Sequence, residues 1–263
     1  MDVVEAYARN NAQAWRHLLP DQIEEASTHR GFDVLRTKDP LETRVNLTCA
    51  SAEIPDRVSA SLSAPGRVYL EDPFGTLLPP EGFKRVRWPV MVRRGPAPQS
   101  RSGVDVVAVG DEKTLVMVER LIVDGFPMRS RQPHTPQCVL PVGLLDTEGW
   151  RVWLARDQGF PASACLTFAH GGVVALYWLV TAPSHRSRGI ARAVLSVILR
   201  WCQGDDVVLV STDEGRPLYD SLGFVEVGRG SLYTRKNAGL SDDRDHGPGP
   251  PRASVPGPSG LGR

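Results

Sequence analysis

The stretch "TAPSHRSRGIARAVL", residues 181–195, follows the apolar run Val173–Val180. It crowds Arg186, Arg188 and Arg192 around Gly189 and passes directly into a helix-forming sequence. Pro183 ends the strand and Gly189 stands at the first turn of the helix. The first backbone N–H groups of a helix have no internal partners and carry the positive end of its dipole. A glycine there lets a ligand approach the backbone, small Ala191 leaves room beside it, and three arginines add charge. The spacing predicts a strand–turn–helix nest for an anion such as a phosphate.

The neighbouring sequence supplies a frame for this turn. "VDVVAVG" (104–110) reads as a short strand, and Leu115, Val118, Leu121 and Ile122 recur at helical spacing after it. Residues 150–181 read as three strands joined by turns at Asp157–Gly159 and Ala169–Gly172. The helix from Gly189 to Cys202 carries Arg192, Ser196 and Arg200 every four residues, so a single polar stripe is expected on a helix packed against a sheet. "DVVLVST" is a further buried strand, "RPLYDSLG" a short helix ended by glycine, and "FVEVGRGSLYTRK" a last strand or hairpin.

The chain has 263 residues, 41% hydrophobic and 23% charged, with a net charge of +1. That composition is globular and gives no footing for general nucleic-acid binding. No run reaches the roughly 18 apolar residues of a membrane span, and the start does not read as a signal peptide, so a cytoplasmic protein is expected. Cys49, Cys138, Cys165 and Cys202 are too scattered to suggest a zinc site or a disulfide framework. From Ala238 onward Gly, Pro, Ser and Asp dominate, which predicts a disordered tail over 238–263. A second Pro/Gly/Ser cluster at Arg93–Gly103 divides an N-terminal α+β domain (1–95) from a domain over 104–237.

Arg186-Ser187-Arg188-Gly189-Ile190-Ala191 resembles the Arg/Gln-x-x-Gly-x-Gly/Ala loop of the GNAT acetyltransferases. "LYDSLGF", Leu218–Phe224, resembles that family's second signature. The likeness spans Val104–Arg235 and implies an α+β mixed sheet of the GNAT type and use of acetyl-CoA as acyl donor. In that reading the amides of 186–191 hold the pyrophosphate, Leu179, Val180 and Thr181 pair with the pantetheine arm, and a backbone N–H of Leu179 or Val180 polarises the thioester. Thr212 contacts the arm, and Tyr219 protonates the departing thiolate, with no metal. Thr212 stands where the family often has asparagine and Gly215 where alanine is usual, and the strand before the loop has no carboxylate, only Tyr177, Trp178 and Thr181.

The general base is left unassigned: Glu119 and Asp124 border the acceptor cleft and are candidates, but carboxylates on what reads as an exposed helix face are more often only solvated. His185 is a bystander or phosphate contact, and "DGFP" (124–127) a helix-ending turn or an acceptor-side loop. Residues 66–94 loosely repeat 205–236: an apolar strand, a polar segment, a Gly-Phe and a basic strand. That pattern fits a degenerate acetyltransferase-like N-terminal half without the cofactor loop, and equally an unrelated α+β domain. Three function classes remain: an N-acetyltransferase acting on an amine, a non-catalytic acyl-CoA sensor, and a scaffold. The expected partners are acetyl-CoA and an amine of unknown identity, not nucleic acid or membrane, and a homodimer is compatible with all three.

Overall fold

The computed structural model describes residues 2–38, 41–98, 103–126, 128 and 131–235; the tail expected over 238–263 lies outside the described residues. In chain order the elements are α1 (Val3–Leu18), β1 (Ile23–His29), β2 (Phe32–Thr37), β3 (Glu42–Leu47), α2 (Asp56–Leu62), β4 (Arg67–Asp72) and β5 (Lys84–Arg93). There follow β6 (Asp105–Ala108), α3 (Glu112–Gly125), β7 (Trp150–Asp157), β8 (Phe160–His170), β9 (Val173–Thr181), α4 (Ile190–Trp201), β10 (Asp206–Val210), α5 (Arg216–Asp220) and β11 (Val225–Arg235). No described helix is long and apolar enough to cross a membrane.

All strands join one mixed sheet of order β1-β2-β3-β4-β11-β5-β10-β9-β8-β7-β6. Within it the two parts of the chain run in parallel fashion. In the first, an antiparallel meander β1-β2-β3 crosses through α2 to the parallel strand β4; in the second, β7-β8-β9 crosses through α4 to the parallel strand β10. The last strand of each part then leaves its own side. β5 pairs with β10, β11 pairs with β4, and β5 and β11 pair with each other from Val225↔Val92 to Thr234↔Lys84. The joint near residues 95–104 is thus a joint in the chain, while the sheet runs unbroken across it.

Side chains fasten the exchanged strands as well. Tyr233 on β11 donates its hydroxyl to Leu77 O at 2.7 Å, and Arg93 on β5 donates from Nε to Leu222 O at 2.7 Å. Each holds a loop of the opposite part.

α1 and α3 cover one face of the sheet, α2 and α4 the other. α1 packs Val3, Val4, Ala6 and Tyr7 against Val90, Val92, Val173, Ala175 and Val208 at the centre. Further along, Asn10 Nδ2 donates to Phe168 O and His170 O on β8, while Asn11 Nδ2 and Trp15 Nε1 donate to Glu71 on β4. The Arg44 guanidinium of β3 lies 3.6 Å over the Trp15 ring, and on the other side the Trp178 ring of β9 meets it edge-on at 6.4 Å. The helix therefore occupies a trough whose two walls come from the two parts of the chain.

α4 departs from its expected single polar stripe. Ser196 is 1% exposed and donates to Arg192 O at 2.8 Å, so its hydroxyl is satisfied along the helix. Only Arg192 and Arg200 of that series face solvent.

A fragment over 104–235 lacks α1 and β5, so β10 and β11 each lose their shared neighbour and a long apolar edge opens. It is expected to aggregate or to show no cooperative transition on heating followed by circular dichroism. A soluble fragment with a sharp melting transition would show that β10 and β11 close on each other without β5.

Candidate functional site

The strand–turn–helix geometry expected over 181–195 is present. After β9, Pro183–His185 form a short 3₁₀ turn, Ser187 takes φ +60° and Gly189 φ +75°, and α4 begins at Ile190. Left-handed backbone at a non-glycine such as Ser187 is uncommon, and two such residues in a row of three curl the chain so that successive N–H groups converge. No side chain caps α4, so its first amides are left to water or a ligand. A Cβ added at Gly189 would meet nothing within 4 Å: glycine is needed there for its dihedral angle, and the space beside it is open.

The arginines around the loop already hold protein groups. Arg188 pairs with Asp157 at 2.7 Å, which ties the loop to the β7–β8 turn, and His185 Nε2 lies 3.9 Å from the same carboxylate. Arg186 Nε donates to Thr181 O at 3.2 Å, and Arg192 donates to Ser221 Oγ at 2.5 Å, joining α4 to the end of α5. All three remain exposed, with further N–H groups free to face an anion.

β9 is bulged just before the loop. Its register with β8 runs Ser163↔Thr181 and Ala164↔Val180, then resumes at Leu166↔Tyr177, so Trp178 and Leu179 are skipped; Trp178 takes φ +50°. The bulge turns Tyr177 and Trp178 both toward α1 and α3 and leaves Leu179 toward α4. On the other edge, β9 pairs with β10 from Asp206↔Val173 to Val208↔Ala175 and then parts from it. The skipped segment and the gap together leave backbone groups of Leu179 without a ladder partner opposite.

The second signature closes the gap from the α4 side. Tyr219 is half-buried and packs against the cluster that holds Cys165, Ile190 and Leu209, with Leu179 on the same border; its ring meets Phe224 edge-on at 5.6 Å. Burial, and after it the neighbouring Cys165, push its phenol well above the ordinary value, so it carries its proton through the physiological range. Thr212 Oγ1 accepts from Gly215 N at 2.9 Å, so its oxygen caps the turn into α5 and only its O–H remains to give. The departure at Gly215 has a steric cause: a Cβ there would stand 3.1 Å from Tyr219 Cε2 and 3.2 Å from Thr212 Oγ1.

The candidate bases do not reach this gap. Glu119 is 1% exposed, not solvated, and its carboxylate accepts from Gln137 N (2.9 Å), Val139 N (2.6 Å), Leu140 N (2.8 Å) and His134 Nε2 (3.0 Å). It fastens the segment after α3. With His134 and Cys138 it forms a group whose ligand atoms lie within 4.8 Å of one another, a set able to take a metal; burial and then Glu119 raise the Cys138 thiol and hold its proton. Asp124 is exposed, bound by Gln132 Nε2 at 2.8 Å. Of the "DGFP" turn, Pro127 lies outside the described residues; a Cβ at Gly125 would collide with Val180 Cγ2, so this glycine lets α3 end against β9. Tyr233, an alternative proton donor, is fully buried with its hydroxyl committed to Leu77.

Sequence reasoning missed the residues that the N-terminal part brings to the other face of β9: Asn10, which accepts from Tyr177 OH at 2.7 Å, and Trp15, Arg44 and Glu71 beyond it. Helical spacing marks Asn10 and Asn11 as odd polar residues on an apolar face of α1, the one signal they give.

Residues 148–226 match the family model of an acetyltransferase (GNAT) domain. No curated protein matches the chain. Among solved structures, a GCN5-related N-acetyltransferase from Kribbella flavida is 16% identical over 89% of this chain and 97% of its own, with a TM-score of 0.59. A protein assigned to the GNAT family of acetyltransferases from Novosphingobium aromaticivorans is 17% identical over 85% and 96%, TM-score 0.55. A functionally unknown conserved protein from Staphylococcus epidermidis is 11% identical over 81% and 94%, TM-score 0.58. These likenesses extend well beyond the matched domain and concern the fold. Residues 148–226 carry the match to a GNAT acetyltransferase domain, and the chain as a whole has the fold of the GNAT N-acetyltransferase structures.

Proposed function

We propose that the protein is an acetyl-CoA-dependent N-acetyltransferase, with 104–237 as its catalytic unit and 1–95 as a degenerate copy that has lost the loop. The observation that carries this reading is the uncapped start of α4, with Gly189 at φ +75° and open space beside it, lying next to the bulged end of β9. The amides of Arg186, Ser187, Arg188, Gly189, Ile190 and Ala191 hold the pyrophosphate. Leu179, Val180 and Thr181 pair with the pantetheine arm, and the Thr212 hydroxyl donates a hydrogen bond to the same arm. A neutral amine attacks the thioester directly in a ternary complex, with a backbone N–H of Leu179 or Val180 polarising the carbonyl. Four free cysteines suit a cytoplasmic setting.

A sensor that binds acyl-CoA without turnover is the second reading. The oxygen of Thr212 committed to its own turn, and the lack of a carboxylate on β9, are what favour it.

Gly189→Glu strains a left-handed position and sets a carboxylate where the phosphate is held. Acetyl-CoA affinity by calorimetry is expected to fall at least about 100-fold, since an unpaired charge facing an anion costs several kcal/mol. Equal affinity would move the cofactor elsewhere.

Tyr219→Phe keeps the ring and its contact with Phe224 and removes only the hydroxyl. Turnover, followed as release of free thiol, is expected to fall by about 10² or more, with acetyl-CoA affinity unchanged. Unchanged turnover would leave Tyr219 as packing, and weakened affinity with normal turnover would make it a cofactor contact.

A further inference from the structure

A buried carboxylate beneath α1, on the face of the sheet to which Trp178 turns, comes from the N-terminal part of the chain. Glu71 on β4 accepts from Asn11 Nδ2 at 2.7 Å on one oxygen and from Trp15 Nε1 at 3.1 Å on the other. Arg44 stays 3.6 Å from it, and 13% of the Glu71 side chain remains open. Among the other buried carboxylates, Glu42 pairs with Arg44 at 2.5 Å and Glu119 holds the backbone beyond α3, while Asp33 pairs with Arg16 through Oδ1 at 2.5 Å and its Oδ2 has no partner among the described residues; Asp33 lies on β2, two strands farther from β9 than β4.

Glu71 is linked to the gap beside β9 along two routes. Through α1, Trp15 joins it to the Trp178 ring of the bulge. Along the sheet, Leu232 is its register neighbour, and Leu232 packs with Tyr69 and Trp88, with Val210 at the end of β10 beside them. This apolar and aromatic strip, buried at Tyr69, Trp88 and Leu232 and half-buried at Val210, runs from the carboxylate to the point where β9 and β10 part. On the same row, Asn46 is 1% exposed, and neither its Nδ2 nor its Oδ1 has a partner among the described residues. A buried carboxylate and an unpaired amide facing a trough are costly to keep for stability alone.

We propose that Glu71 is the general base of the transfer, and that the acceptor is a primary amine on an apolar or aromatic body that lies along Leu232, Trp88 and Val210. This rests on the transferase reading. The ammonium of the acceptor gives one proton to Glu71, and its nitrogen attacks the thioester carbon. The C–N bond forms, the C–S bond breaks, and the sulfur leaves with the proton of Tyr219. The new amide nitrogen sheds its second proton to solvent, and Tyr219 recovers one from there.

The setting of the group suits a base. Burial raises Glu71 above the ordinary carboxylate value, opposed by Arg44 and by the bonds from Asn11 and Trp15, and assisted by Glu42. Its charge in turn raises Tyr7 on α1 and Tyr177 on β9, both already raised chiefly by burial. Those are the titratable groups that face it from α1, β3 and β9. Because the ionised form is the active one, turnover rises as pH climbs through this raised value.

The test uses the full chain at saturating acetyl-CoA, with 2-phenylethylamine, tryptamine and hexylamine as probes beside polar lysine, and free thiol as the readout. Glu71→Gln is expected to lower kcat about 100-fold or more, to abolish the acid-side limb of the kcat profile, and to leave acetyl-CoA affinity unchanged. Glu71→Asp, which keeps the charge, recovers part of the rate and the limb. Equal kcat and an unmoved limb in Glu71→Gln overturn the role. If that variant loses its melting transition, Glu71→Asp decides, and a limb unmoved in it together with wild-type kcat overturns the role as well. Lysine accepted in preference to the three apolar amines overturns the acceptor class. A wild type that binds acetyl-CoA yet releases thiol with no amine overturns the transferase reading itself, and the role of Glu71 with it.

Discussion

The exchange of last strands between the two parts of the chain is the constraint on which the rest of the molecule depends. β5 lies between β10 and β11, and β11 between β4 and β5, so neither part has a complete sheet of its own. Ladder bonds along the β5–β11 pair, the Tyr233 and Arg93 side chains, and α1 across the trough all bind the parts in one geometry. The bulged strand β9 is enclosed from both sides: α1 rests on one face, held there by the Asn10–Tyr177 bond, while α4 and α5 cover the other.

The two faces of the gap beside β9 have different chemical characters. On the α4 side stand backbone amides, exposed arginines and a protonated phenol, groups suited to a polyanion and a leaving thiolate. On the α1 side stand indoles, phenols and a carboxylate with little water around them. One strand serves both, because the bulge lets consecutive residues take roles that a regular alternation would put on opposite faces: Tyr177 and Trp178 face α1, and Leu179 faces α4.

How much of this was legible in the sequence depends on how local the cause is. The loop at 181–195 and the turn at 212–224 are short-range devices, in which Gly189, Thr212, Gly215 and Tyr219 act on neighbours within a few residues, and strand, turn and helix were all readable there. The meander over 150–181 was readable for the same reason. Glu119 was misread because its partners, Gln137 to Leu140, arrive from a segment with no periodicity of its own. Ser196 was misread because a hydroxyl that bonds back along its helix needs no solvent. Glu71 was invisible, since nothing in "RVYLED" tells that Asn11 and Trp15, some sixty residues earlier, will cover it. The loose repeat of 66–94 in 205–236 did carry the β4/β10 and β5/β11 correspondence, but not the exchange, which pattern alone cannot encode.

The place of β11 in the sheet also sets the order of assembly. β11 is the last of the described strands to be synthesised, yet it belongs near the middle, between two strands made well over a hundred residues earlier. Until it arrives, β4 and β5 present facing unpaired edges and the apolar strip along Trp88 is open to water. Such a nascent chain has long-range contacts to make and adhesive edges to protect, which slows closure and exposes it to aggregation. Growth at low temperature or with holdase chaperones in excess lengthens the time the open form survives unaggregated, and so favours the yield of closed protein. Substitutions that charge the open edge of β4 would act on that yield before they act on the finished fold.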